Sequence, residues 1–235
     1  MSRHPVVTRE QWIEARKALL EREKSLTRLN DEIAYLRRQL PWVKVDKAYL
    51  FETHYGQKSL AELFEEANQL VVYHFMFGPE WEQGCVSCSF WADNFNGLTA
   101  HLKHRNITLI AISRAPLDKL LSYRARMGWD FNWVSSLGST FNEDFDVSFS
   151  PAALADEKVY YNYDWRSFPV EEAPGMSVFY RDLHGDIYHT YSCYARGLDA
   201  LNSAYQIMDR VPEGRNEDEL PYPMSWLRRH DRYED

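Results

Sequence analysis

The run "LVVYHFMF", residues 70 to 77, limits the fold more than any other stretch. It is β-branched and aromatic, and Gly78-Pro79 ends it. A surface strand would alternate with polar residues, whereas a strand covered on both faces reads as a near-continuous apolar run. Eight residues are too few to span a bilayer. The run therefore predicts a central strand of a sheet with helices on both sides. "ITLIAIS", residues 107 to 113, reads the same way. Between the two lies a helical segment, from Gly84 or Cys85 to about His104, with Phe95, Leu98 and Leu102 on one side. Strand, helix and strand in this order predict a right-handed parallel crossover.

The signals downstream extend the pattern. Pro116 opens a helix that carries Leu117, Leu120, Leu121 and Met127 inward and that Gly128 can close. "FNWVSS" is strand-like, and a short segment, "TFNEDFDVSF", follows it. Residues 151–173 read as irregular. "GMSVFYRDLHGDIYHTYSCY" is a hairpin about His184-Gly185, and "GLDALNSAYQIMDR" is a last helix. Upstream, "WVKVDKAYLF" is strand-like and "SLAELFEEANQ" a short helix with Ser59 and Glu62 at its start. The expected class is α/β, with the strand order of a thioredoxin-like core and a late antiparallel pair.

Three parts are expected along the chain. Residues 1–41 form one long helix, opened by a Thr8–Gln11 capping box and closed by Pro41. Trp12, Ala15, Leu19, Arg22, Leu26, Leu29, Ile33, Leu36 and Leu40 fall at alternating steps of three and four. That spacing suits either a helix lying on its own domain or the seam of a homodimer. Residues 42–211 hold the α/β domain. Residues 212–235 form a charged, proline-punctuated tail whose Trp226 and Leu227 dock on the body.

Two of the three cysteines, Cys85 and Cys88, stand two residues apart just after the first buried strand. At the start of a helix Cys85 occupies the first turn, and Cys88 lies one turn further in on the same face. Unpaired backbone N–H groups and the helix dipole favour a thiolate at Cys85. This makes Cys85 a candidate nucleophile and Cys88 its resolving partner. The place is also right, because open α/β sheets carry their sites at the carboxyl ends of strands. Two other readings remain open: inert core thiols, and a zinc site with His101 and His104. The His spacing is short for zinc, and one continuous helix would hold His101 roughly 20 Å from Cys88. Cys193, in "TYSCYARG", reads as a packed thiol.

"VVYHFMFGPEWEQGCVSCSFWADNFNGL", "ISRAPLDKLLSYRARMGWDFNWVSS", "GMSVFYRDLHGDIYHTYSCYARGLDALN" and "LPYPMSWLRRHDRYED" resemble the DUF899 family over nearly the whole chain. The family is assigned to the thioredoxin-like superfamily and often labelled predicted dithiol-disulfide oxidoreductases. The resemblance implies thiol–disulfide exchange through Cys85 and Cys88, with no cofactor and no metal. The alternative is a thioredoxin-like binding module with structural or zinc-binding cysteines. Val86 departs from the pattern, since proline is expected after the first cysteine. Thioredoxin-like folds also carry a cis-proline opposite the dithiol, which falls at Pro174, so a cis Ala173–Pro174 bond is expected. The carboxylate that thioredoxins bury under the dithiol falls at His74, a candidate proton relay. Trp81 is set back from Cys85 by three residues and is a candidate for covering the site or binding substrate. "TFNEDFDVSF" resembles a segment of peroxiredoxins. Those enzymes carry threonine three residues before the reactive cysteine, where this chain has Glu82, so peroxidase activity is not expected.

A net charge of -8 disfavours nucleic acid and anionic membranes as partners. The expected partner is a protein or small-molecule thiol or disulfide, and a homodimer is expected. "MSRHPVVTREQW" lacks the apolar run of a signal peptide, and three cysteines make no disulfide scaffold, so a reducing cytoplasm is expected. Phosphate-cradling glycine loops, dinucleotide fingerprints and G-x-S-x-G elbows are missing from the sequence.

Overall fold

The structure is a computed structural model and describes residues 4–233. The chain divides at Pro41/Trp42 into two compact units. The first is a single helix, α1 (Arg9–Arg38). Thr8 caps it: its hydroxyl accepts from the Gln11 N–H, and the Gln11 side chain accepts from the Thr8 N–H. Arg37 and Arg38 sit in its last turn, where positive charge suits the exposed carbonyls. None of its residues is buried, so the apolar stripe finds no cover within its own unit.

The second unit begins with three short strands, β1 (Val43–Lys44), β2 (Leu50–Thr53) and β3 (Gly56–Ser59). The short helix α2 (Leu60–Leu63) follows, with the Ser59–Glu62 capping box. The central strand β4 (Gln69–His74) leads to α3 (Val86–Ala92) and α4 (Leu98–His104). Next come β5 (Ile107–Ser113), α5 (Leu117–Arg126), β6 (Asn132–Ser135), α6 (Phe141–Asp144) and α7 (Pro151–Ala155). A small ribbon, β7 (Val159–Tyr161) and β8 (Asp164–Arg166), precedes the long hairpin of β9 (Gly175–Arg181) and β10 (Ile187–Tyr194). The last helix is α8 (Ser203–Met208).

Eight strands form one sheet in the order β1-β10-β9-β4-β5-β6-β2-β3. β4, β5 and β6 run parallel, while β9 lies antiparallel against β4 on its other side. This parallel core with an antiparallel hairpin is the thioredoxin-like arrangement. Alternation along β4 feeds two cores. Leu70 and Val72 join Phe64, Ile112, Phe141 and Phe179 on one face. Tyr73, Phe75 and Phe77 join Trp91, Leu120, Tyr123 and Trp133 on the other.

Four expectations need correction. The helix after the dithiol is not continuous to His104: it stops at Ala92 and restarts at Leu98. The Asn94 amide takes the Phe90 and Trp91 carbonyls, and Gly97 turns at φ 78°. The distance argument against zinc lapses with it, although no cluster of three metal-ligating side chains occurs among the described residues. Residues 151–173 are not irregular, since they hold α7 and the β7–β8 ribbon. The last helix is split: residues 195–201 are a 3-10 turn, and Asn202 caps α8 by accepting from the Tyr205 N–H. Finally, the described chain has no cis peptide bond, so Ala173–Pro174 is trans. A cis bond serves a tight reversal, and none occurs there. Ala173 N–H donates to the Val147 carbonyl, and Gly175 already pairs with His74 in the sheet.

Candidate functional site

Cys85 and Cys88 lie just past the carboxyl end of β4, where Phe75–Phe77 runs on beside β5: Phe75 N–H reaches Ile112 O at 3.0 Å, and Ala115 N–H reaches Phe77 O at 2.8 Å. Cys85 N–H bonds Met76 O at 3.0 Å, pinning the loop back onto the strand. Gly84 is needed in that loop, because a Cβ there would meet the Phe75 ring at 2.7 Å. Ser89 bonds back to the Cys85 carbonyl at 2.8 Å and fixes the first turn of α3.

Cys85 is the N-cap of α3, and its sulfur accepts from the Cys88 N–H at 3.5 Å. It is half-buried, whereas Cys88 is 1% exposed. The two thiols are tuned in opposite directions. Cys85 is lowered to about 7, first by a hydrogen bond from the Cys88 thiol and then, against the cost of burial, by the N–H groups of Cys88 and Ser87 and the charge of Arg229. Cys88 is pushed well above the ordinary thiol range by burial and by Cys85, with the Met76 N–H and the Tyr73 hydroxyl opposing the rise. α3 has only seven residues. Local donors, rather than a long dipole, therefore explain the acidity of Cys85.

Arg229 comes from the C-terminal tail. Its guanidinium donates to the Gly84 carbonyl at 2.7 Å and to the Tyr123 hydroxyl at 2.6 Å. Tyr123 in turn meets Ser89 at 3.0 Å. The tail is seated by Leu227, which is buried, by the Trp226 ring against Phe90, and by Glu217, which accepts from the Tyr205 hydroxyl at 2.9 Å. Nothing in the sequence pointed to Arg229, which lies 145 residues beyond Gly84.

His74 does not lie beneath the dithiol. It faces the other core, against Phe141 and Phe145, with Nε2 at 2.8 Å from Ser177 Oγ. Tyr73, one residue earlier, faces the thiols instead. Its hydroxyl is buried without a hydrogen bond of normal geometry, and its strongest charge interaction is with Cys88. A one-residue shift along a strand moves a side chain to the opposite face.

Trp81 packs at the edge of the same core, and its Nε1 donates to Glu171 at 2.5 Å. Lys119 holds the surrounding loop through the Pro79 and Trp81 carbonyls at 3.1 and 3.2 Å. Pro174 lines a cleft of about 1010 Å³, together with Tyr73, Met76, Ser87, Cys88 and Trp91. Cys193 is buried on β10 opposite Met176.

Among solved structures, a cysteine-to-serine variant of peroxiredoxin Q from Xanthomonas campestris is 16% identical, with a TM-score of 0.44 over 67% of this chain and 90% of its own. Peroxidoxin BcpB from Mycobacterium tuberculosis is 12% identical, with a TM-score of 0.48 over 72% and 97%. The mitochondrial 2-Cys peroxiredoxin from Plasmodium falciparum is 11% identical, with a TM-score of 0.38 over 71% and 91%. No curated protein matches the chain in sequence. A family model described as "Bacterial protein of unknown function (DUF899)" matches residues 1–233, and the chain belongs to that family.

Proposed function

We propose that the protein is a thiol–disulfide oxidoreductase in which Cys85 attacks and Cys88 resolves. The observation that carries this reading is the placement of two adjacent thiols: half-buried Cys85 caps α3 with its sulfur on the Cys88 N–H at 3.5 Å, and Cys88 is buried one turn behind it; the surroundings lower the first thiol and raise the second. Cys85 thiolate attacks a substrate disulfide, forms a mixed disulfide and releases the first substrate thiolate. Cys88 then gives up its proton and attacks the Cys85 sulfur. The Cys85–Cys88 disulfide forms, and the second substrate thiolate leaves. Substrate is reduced by two electrons and the protein is oxidised by two. A cytoplasmic setting suits this chemistry, and Cys85 and Cys88 are free thiols. No helix among the described residues is long and apolar enough to cross a membrane.

The test is alkylation of the reduced protein by iodoacetamide, followed across pH by mass spectrometry, beside equilibration in defined redox buffers. The Cys85 rate should rise about tenfold per pH unit and level off near pH 7, with a reversible two-electron couple shared with Cys88. A midpoint at the free-thiol value of about 8.5, or no couple, would leave a non-catalytic binding module as the better reading.

We also infer that α1 pairs with α1 of a second copy, because its stripe keeps the 3.5-residue period of a two-helix seam over four heptads. Light scattering should give a dimer mass for the full chain and a monomer mass for Leu26→Asp. An unchanged mass would remove α1 from the interface.

A further inference from the structure

The cleft is lined by one residue of the dithiol and leaves the other aside. Cys88 lines it, with Tyr73, Met76, Ser87 and Pro174 around it, and Cys85 lies off it. Tyr73, which also lines it, faces Cys88 with a buried hydroxyl that makes no hydrogen bond of normal geometry. Such a donor is costly unless some state of the site supplies an acceptor.

Building on the dithiol reading, we propose that the cleft admits a compact neutral or cationic thiol that reduces the Cys85–Cys88 disulfide by attacking the Cys88 sulfur. Exchange at a disulfide needs the attacking, central and leaving sulfurs in line. Because Cys88 lines the cleft and Cys85 does not, a thiol entering there approaches Cys88, and Cys85 is the leaving group. Cys85 is the more acidic thiol, so it is also the better leaving group. The incoming thiolate forms a bond to Cys88 Sγ, and the Cys85–Cys88 bond breaks to give Cys85 thiolate. A second molecule of thiol attacks the bound one, releases it as a symmetrical disulfide and leaves Cys88 as a thiolate, which then takes a proton. Two thiols lose two electrons and the protein gains them. Tyr73 and the Met76 N–H, 3.5 Å from Cys88 Sγ, are the donors that receive the Cys88 thiolate. In this step Tyr73 acts as a positioning residue.

The charge of the wall sets the class of thiol. Five carboxylates and two guanidiniums line the cleft. Arg215 is already bound to Asp199 and Asp209, and Arg196 to Asp199. Glu213 and Asp218 meet no cation among the described residues. An anionic thiol is therefore repelled, while an aminothiol is attracted.

Oxidised full-length protein is mixed with cysteamine, quenched in acid, blocked with an alkylating reagent and mapped by fragmentation. The cysteamine adduct is expected on Cys88, with Cys85 alkylated. An adduct on Cys85 overturns the proposal and leaves the dithiol reading standing. Failure of Cys85 and Cys88 to form a disulfide at all overturns both. In a second arm, reduction rates with cysteamine and with 3-mercaptopropionate are compared. Their ratio is expected to fall by about threefold or more in Glu213→Gln/Asp218→Asn, as loss of two exposed charges allows. An unchanged ratio overturns the assignment of the cleft as the port of entry.

Discussion

Cys85→Ser is expected to reduce disulfide exchange to the uncatalysed background, and Cys88→Ser to stop it one step later with the substrate still attached. A serine hydroxyl at 85 is not ionised near neutral pH, so no nucleophile remains at the accessible position. Cys88 cannot stand in for it as a nucleophile, because burial holds it protonated. In Cys88→Ser the attack by Cys85 proceeds, yet nothing follows to cleave the mixed disulfide. Intact-mass analysis after exposure to a disulfide substrate should show an added substrate thiol on Cys88→Ser and none on Cys85→Ser. Both variants should fold. Serine at 85 keeps an acceptor for the Cys88 N–H, and serine at 88 keeps one for the Met76 N–H. A Cys85→Ser protein that still exchanged disulfides at the wild-type rate would end the assignment.

The sheet was readable from the sequence because its central strands are covered on both faces. "LVVYHFMF" and "ITLIAIS" have no polar face to spare, and they pair in parallel as β4 and β5. The capping boxes at Thr8 and Ser59 were equally plain, because the side chains that close them are three residues apart. The β7–β8 ribbon was not readable. Its turn places Asn162 and Tyr163 at φ 55° and 63°, and Asn-Tyr carries none of the glycine signal such turns usually show. The break between α3 and α4 had a signal, Asn96-Gly97, which the apolar spacing of Phe95, Leu98 and Leu102 masked.

The site was half legible. The spacing of Cys85 and Cys88 and the strand before them placed the dithiol. Its surroundings depended on register and on distant chain. By analogy His74 stood in for a buried carboxylate, but the pleat turns Tyr73 to the sulfurs and His74 away. Arg229 reaches Gly84 only because Leu227 and Trp226 seat the tail, a contact that no local pattern encodes.

His74 has a consequence for stability instead. It sits in the opposite core, 1% exposed, and burial lowers it from an ordinary 6.5 to about 3. Its Nε2 meets Ser177 at 2.8 Å, Ser177 meets Ser192 at 2.8 Å, and Ser192 meets His189 Nε2 at 2.7 Å. His189 is lowered as well, chiefly by burial. The folded state therefore keeps a neutral imidazole at pH values where the unfolded chain binds a proton. Stability is full above about pH 6.5 and falls as the pH drops toward 3, by about 1.4 kcal/mol per unit for His74 alone. Between about pH 7.5 and 4.5 the loss is roughly 2.7 kcal/mol, a large share of the 5–15 kcal/mol typical of a domain. Denaturant midpoints measured across that range should fall steeply for the wild type. In His74→Asn the slope should be shallower by about 1.4 kcal/mol per unit, whatever the cost of the smaller side chain at pH 7, because that cost does not titrate. Equal slopes in the two proteins would mean that His74 is protonated inside the fold, and the account of its burial would then be wrong.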